Sequence, residues 1–308
     1  MIPFNAFEPL TAALKNALSK AGIAITPGGE LDRLCDLTIR LARGELSQTE
    51  RQRADALESI AGFVTFARKI ARISFHNDFP ELTDHLRRLE SGKIKLNTPD
   101  TDPKTEGPKL FELLIALSVF PIGSNIKLDD PAGGSQGTNP DVLADVGHQR
   151  WAFACKLLYG QMGLTVKRAT EKGIDQIERS PATKGVVVIS INNLLDHAAI
   201  RGDITRGWGS IDEPLQLMRD TVERKREQLK GEFSEADLKA LFVGKKAEPV
   251  ILLYSHALAI VRSAVDDRPI PALIRFLSSM TFGDVSTAST TLNRLNLALQ
   301  DQPDIAQT

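Results

Sequence analysis

Asn139-Pro140-Asp141-Val142-Leu143-Ala144-Asp145-Val146-Gly147-His148-Gln149-Arg150-Trp151-Ala152-Phe153-Ala154-Cys155-Lys156 is the stretch whose reading decides the fold. Val142, Leu143, Ala144 and Val146 form one short apolar run, Gly147-His148 is turn chemistry, and Trp151 to Lys156 form a second run. Together they predict a β-hairpin. With a two-residue loop, Val146 faces Gln149 and Asp141 falls opposite Ala154. Side chains alternate across a strand, so Asp141 then shares a face with Ala154 and Lys156. An acid near the start of one strand and a lysine at the far end of its partner converge. A three-residue loop would shift the register and separate them.

Beyond the hairpin, Leu164 to Arg179 reads as a helix with Val166, Ala169, Gly173 and Ile177 on one face. Lys184 to Ile191, built on Gly185-Val186-Val187-Val188-Ile189, reads as a strand buried on both faces. Before the hairpin, Ile122 to Leu128 is a candidate strand ending at Asp129-Asp130-Pro131. Gly133 to Gly137 lacks the lysine and the strand-to-helix setting of a phosphate loop and reads as a flexible connection. Lys109 to Phe120 is apolar on nearly every side, as a buried helix is. Its single internal charge, Glu112, needs a partner there: a salt bridge, a solvent-facing end, a metal or a site lysine. The order is helix, three strands, helix, strand.

Residues 1 to about 91 read as helical. The segments are Ala6 to Ala21, Glu30 to Ala42, a helix opened by the capping box Ser47-Gln48-Thr49-Glu50 and running to Ile73, and Pro80 to Leu89. Pro99, Pro103 and Pro108, set among polar residues, mark a connection. The chain thus divides into an all-helical module (1–95), a linker (96–108), a core with C-terminal additions (109–300) and a tail (301–308). In the later part, Asn192 to Ser210 reads as an irregular loop with a solvated His197 and an incidental Arg201-Gly202-Asp203. A charged helix spans Asp212 to Lys230, with Glu223 to Lys230 a solvated face. Ser234 opens another capped helix, Pro249 to Val261 is a buried strand, and Pro271 to Met280 and Val285 to Gln300 are helices.

The 308 residues are 42% hydrophobic and 25% charged with a net charge of −1, the profile of a soluble globular protein. No overall field advertises nucleic acid, so such a partner needs a local basic patch. The two cysteines, Cys35 and Cys155, exclude a disulfide framework and a Cys-rich zinc site and suit a reducing cytoplasm. No apolar run is long enough to span a bilayer, and a cytoplasmic protein is expected. Cys155 alternates onto the face of Trp151 and Phe153 and reads as core. His148 reads as an exposed turn residue, His256 as core, and His76 with Asp78 as solvated or capping.

The element order, with Pro140-Asp141 and Lys156, resembles the PD-(D/E)XK nuclease superfamily over roughly residues 109 to 192. The resemblance implies an α/β fold with a restriction-endonuclease-like αβββαβ core and a mixed sheet. In that family an acid on the first core helix, the aspartate of the Pro-Asp strand, and the acid and lysine of the next strand build the site. Those positions are Glu112, Asp141, Ala154 and Lys156 here, and Gln176 matches a glutamine often found on the following helix. Ala154 stands where the family carries an acid. Some members supply that carboxylate from the following helix, where Glu171 and Asp175 are candidates, but a helical wheel turns both away from the sheet. Asp145 shares the face of Asp141 but lies about 14 Å along the strand at ~3.4 Å per residue.

The resemblance implies a metal-dependent nuclease acting on DNA rather than RNA, with prokaryotic restriction or defence as a natural setting. Mg²⁺ or Mn²⁺ would be held by Asp141 and Glu112. Lys156 would position or deprotonate the water and offset charge on the phosphate, and Gln176 would orient the water or a neighbouring backbone group. Cutting both strands would call for a homodimer. Two other readings stand beside it. One is a catalytically silent nuclease fold binding nucleic acid or protein, suggested by Ala154. The other is an interaction scaffold, favoured by the near-neutral charge, in which Asp141 and Lys156 are an ordinary cross-strand ion pair.

Overall fold

The computed structural model describes residues 7–43, 45, 49–91, 107–129 and 140–300. The expectations for Ser47, for 92–106, for the glycine-rich 133–137 and for the tail from Asp301 lie outside the described residues. Along the chain run α1 (Phe7–Lys20), α2 (Glu30–Ala42), α3 (Glu50–Ile73) and α4 (Thr83–Ser91), then α5 (Gly107–Val119) and β1 (Ser124–Leu128). The hairpin follows as β2 (Val142–Val146) and β3 (Gln149–Leu157), then α6 (Gly163–Arg179) and β4 (Lys184–Ser190). After these come α7 (His197–Arg201), α8 (Asp212–Glu232), α9 (Glu235–Ala240), β5 (Ala247–Arg262), β6 (Pro269–Thr281) and α10 (Ser289–Leu299).

The hairpin has the two-residue loop. Val146 pairs with Gln149 and Val142 with Phe153, and Gly147 takes a φ of 64° at the first loop position. A primed two-residue turn requires that left-handed backbone, which glycine adopts without strain. The sheet is mixed and six-stranded, in the order β1-β2-β3-β4-β5-β6. β1, β2 and β3 are antiparallel, while β3, β4 and β5 are parallel. β6 then doubles back along β5. Bonds from Ser263 N–H to Arg268 O and from Phe282 N–H to Pro249 O, each 2.8 Å, close the two ends of that hairpin.

The expected helix at Pro271 to Met280 is therefore a strand. Its Ala, Leu, Arg and Met residues favour a helix locally, but propensity is a weak prior that pairing overrides. The turn at Ser263 to Arg268 lays the segment beside β5, and an edge strand is where Pro269 and Pro271 are tolerated. Asn192 to Ser210 is also more ordered than expected. It contains a 3₁₀ turn at Asn192–Leu194 and the helix α7, whose N-cap Asp196 accepts from Ala199 N–H. His197, expected to be solvated, opens that helix and is 7% exposed.

The chain forms two compact units. One comprises Met1–Pro99, Asp196–Leu217 and His256–Ile274; the other comprises Asp100–Leu195, Met218–Ser255 and Arg275–Thr308. In the first, Leu14, Leu18, Leu31, Leu34, Phe63, Phe66 and Ile70 are fully buried. Leu57 packs with Leu258 and Ile260 of β5, beside Leu41, Ala61 and Ile204. Arg201 is ion-paired with Glu58, and Asp203 accepts from Thr205 N–H at 2.7 Å. The Arg-Gly-Asp sequence is thus tied up internally.

The second unit is a three-layer arrangement. Ala152, Ala154, Val187, Ile189, Ile251 and Leu253 bury one face of the sheet against Val166, Ile174 and Ile177 of α6 and Val222 and Leu229 of α8. Tyr254, alternating to the other face, stacks on Phe111 of α5 with ring centroids 5.9 Å apart. β4 is buried from Gly185 to Ser190, as its β-branched run predicts. α8 also holds the start of α6. Glu232 accepts from Gly163 N–H at 2.8 Å and from Leu164 N–H at 2.6 Å, and Lys225, buried rather than solvated, donates to the Gln161 carbonyl. Among the described residues no helix is long and apolar enough to cross a membrane.

Glycine lets α6 lie close on the sheet. A Cβ at Gly185 would come within 2.6 Å of Ile177 Cγ2 and 2.9 Å of the Ala152 carbonyl oxygen. Gly185→Ala is expected to lower unfolding stability by about 1–3 kcal/mol, the usual cost of overpacking. Gly231→Ala in α8, with nothing within 4 Å of the new Cβ, should leave stability unchanged or raise it. Urea denaturation of the two variants side by side checks the contrast.

Candidate active site

The β2–β3 ladder ends at Val142 and Phe153, while β3 runs on beside β4 to Leu157. Cys155 N–H lies beyond that last pair, and the Asp141 side chain takes it in place of a backbone carbonyl, Oδ2 accepting at 2.5 Å. The same oxygen stands 3.2 Å from Lys156 Nζ. Lys156 also donates to the Cys155 carbonyl at 2.9 Å and to Gln176 Oε1 of α6. Each of the three donors of its ammonium therefore finds an oxygen. Asp141, Lys156 and Gln176 meet as expected. Asp141 and Gln176 are buried, at 6% and 5% exposure. Burial pushes the Asp141 carboxyl up to about 6, against the pull of Lys156 and Cys155 N–H and with a further push from the charge of Glu112.

Glu112 comes from α5, which packs on the opposite face of the sheet from α6. It is 5% exposed, and of the partners weighed for it the structure supplies a lysine. Lys109 Nζ, one turn earlier, lies 2.7 Å from Glu112 Oε2. Burial pulls the Lys109 ammonium down, but Glu112, Asp141 and Asp129 outweigh it and leave the group raised. Asp129 continues the β1–β2 register by one pair beyond Leu128 and Val142, its N–H donating to the Asp141 carbonyl at 3.1 Å. The end of β2 is short enough for charges on both faces to be felt at Asp141. Sequence reading missed Lys109 and Asp129. The i,i+3 spacing of Lys109 and Glu112 was the available signal for the first, and the hairpin register carried by one more strand was the signal for the second.

Other residues stay apart. Ala154 is fully buried in the apolar layer under α6, where a Cβ at Gly173 would lie 3.4 Å from its methyl group. A carboxylate there would be lodged among Val166, Ile174 and Val187, so packing occupies the position for which the resemblance implied an acid. Glu171 pairs with Lys167 at 2.6 Å and Asp175 is exposed, so neither substitutes. Asp145 is at the hairpin tip with Arg150 at 3.1 Å and Asn125 at 2.6 Å. The Cys155 thiol is raised far above its ordinary value by burial, then by Asp141 and Glu112, as suits a core residue. His148 is exposed, His256 buried, and His76 stays in a local turn with Asp78.

The oxygens of Asp141, Glu112, Gln176 and the Cys155 carbonyl are hard donors of the kind Mg²⁺ and Mn²⁺ take. Among the described residues, no three His, Cys, Asp or Glu side chains are gathered as an ion cage. Lysines hold the two carboxylates instead. The chain matches no family model, no curated protein and no solved structure.

The Asp141 carboxyl, normally near 3.8 and held at about 6 in the fold, binds its proton more tightly folded than unfolded. Its contribution to stability is greatest below the lower value and is lost as pH rises through the upper one. Asp141→Asn lacks this dependence. Its stability relative to the parent should therefore grow between about pH 4 and pH 7, and parallel curves in pH-resolved thermal melts would contradict the assignment.

Proposed function

We propose that this chain is a divalent-metal-dependent nuclease of PD-(D/E)XK type, hydrolysing phosphodiester bonds in DNA. The observation that carries the reading is the meeting of Asp141, Lys156 and Gln176 where the antiparallel β2–β3 pair gives way to the parallel β3–β4 pair. Phosphodiester hydrolysis needs a water made nucleophilic and relief of the negative charge that builds on phosphorus. A bound divalent ion supplies both effects. Asp141 and Glu112 would hold it, with the Cys155 carbonyl as a neutral oxygen beside them. Lys156, through its ammonium, would position the water and offset charge on the attacked phosphate. Gln176 fixes the direction of that ammonium, since its Oε1 accepts from Nζ. Burial of Asp141 and Glu112 strengthens every charge interaction at the site. Cutting both strands calls for two copies of the chain.

A catalytically silent nuclease fold is favoured by two observations. Ala154 is buried packing, and the Lys156 ammonium is already served by three oxygens. Supercoiled plasmid with Mg²⁺ or Mn²⁺ separates the readings. The parent protein should nick it, and Lys156→Met should slow nicking by at least about 100-fold, the weight of a positioned proton-transfer group. Binding without cleavage by both forms supports the silent reading. Absence of binding at low salt, where phosphate contacts are strongest, sinks the nuclease reading and favours an interaction scaffold.

A further inference from the structure

We propose that Lys109 is a second catalytic lysine, resting on Glu112 in the ion-free protein and passing to the phosphodiester when Glu112 takes the divalent ion. This deepens the nuclease reading and rests on it.

Lys109 Nζ is 2.7 Å from Glu112 Oε2, so the carboxylate that would hold the ion carries a resident ammonium. An ammonium at that distance repels a divalent ion seated on the same carboxylate, whichever oxygen the ion takes. The Lys109 side chain is 24% exposed against 6% for the Glu112 side chain, so of the two partners the lysine is the one with room to move. It stays in the field of Asp141 and Asp129, which already act on it. Its flexible four-carbon stem lets it swing without moving α5.

The charges give the direction of the exchange. Glu112, Asp129 and Asp141 carry three negative charges, and Lys109 and Lys156 carry two positive ones. The group is one positive charge short. A divalent ion alone overshoots by one, and an ion together with one phosphodiester unit balances it. Lys109 therefore weakens ion binding in the free protein and favours it once the nucleic acid is present. Such coupling is reciprocal, with each ligand tightening the other.

Lys109→Met tests this through an effect in two opposite directions. Isothermal titration of the full chain with Mn²⁺, without DNA, should show a dissociation constant about tenfold lower than the parent's, since a competing charge at short range has been removed. Plasmid nicking at saturating Mn²⁺ should fall at least about tenfold, since a cation on the phosphate has been lost. Lys109→Gln, which keeps a polar contact to Glu112, serves if the Met variant does not fold in a circular-dichroism melt. A folded variant whose Mn²⁺ affinity is unchanged or weaker, or whose saturated rate matches the parent's, overturns the role of Lys109 alone. A parent protein that neither binds Mn²⁺ nor nicks overturns this role together with the nuclease reading.

Discussion

The register fixed by the two-residue turn at Gly147-His148 is the constraint on which the site depends. Side chains alternate with a period of two, so one extra loop residue would turn Asp141 away from Lys156 and expose the apolar face of β2. Gly147 makes the short turn affordable because it adopts the left-handed backbone freely. From that turn the ladder runs five pairs to Val142 and Phe153. Two residues past its end, Cys155 N–H then donates to the Asp141 carboxylate. The site is in effect the unfinished end of a hairpin, with side chains occupying the place of missing backbone partners.

Close helix-to-sheet packing is the second constraint, and it bears on the chemistry. α6 lies on the sheet through Gly173, over Val187 and Ala154. The same approach that brings Gln176 to Lys156 leaves room for no more than a methyl group at Ala154. Position and composition are linked here. A bulkier side chain at 154 would lift α6 and take Gln176 with it. The carboxylates available lie instead on the other face and at the neighbouring strand end, as Glu112 and Asp129.

What could be read from the sequence was local. The hairpin, the α6 stripe, the β-branched β4 run and the Ser234 capping box each carry their signal within a few residues, and all were legible. So was the pairing of Asp141 with Lys156, because a turn length and a period of two are enough to derive it. β6 was not, since its residues favour a helix and only the neighbouring β5 makes a strand of them. His197 was misjudged because its burial depends on packing around α7 that no local pattern encodes. Lys109 and Asp129 went unnoticed for a related reason. Each is ordinary on its own element and meets the site only when the strand ends and α5 are placed together.

The cap on α6 also bears on how the second unit forms. Met162, at its N-cap, offers no side-chain acceptor, and the first amides are satisfied by Glu232, 68 and 69 residues away in sequence. A helix whose opening turn waits for a distant carboxylate closes a large loop before that turn is secured, and loop closure of this kind slows assembly. The start of α6 should therefore be among the last parts of the unit to acquire protection against amide exchange. Gln176, more than three turns further on, lies in the stretch that packs on β3 and β4, which are nearer to it in sequence.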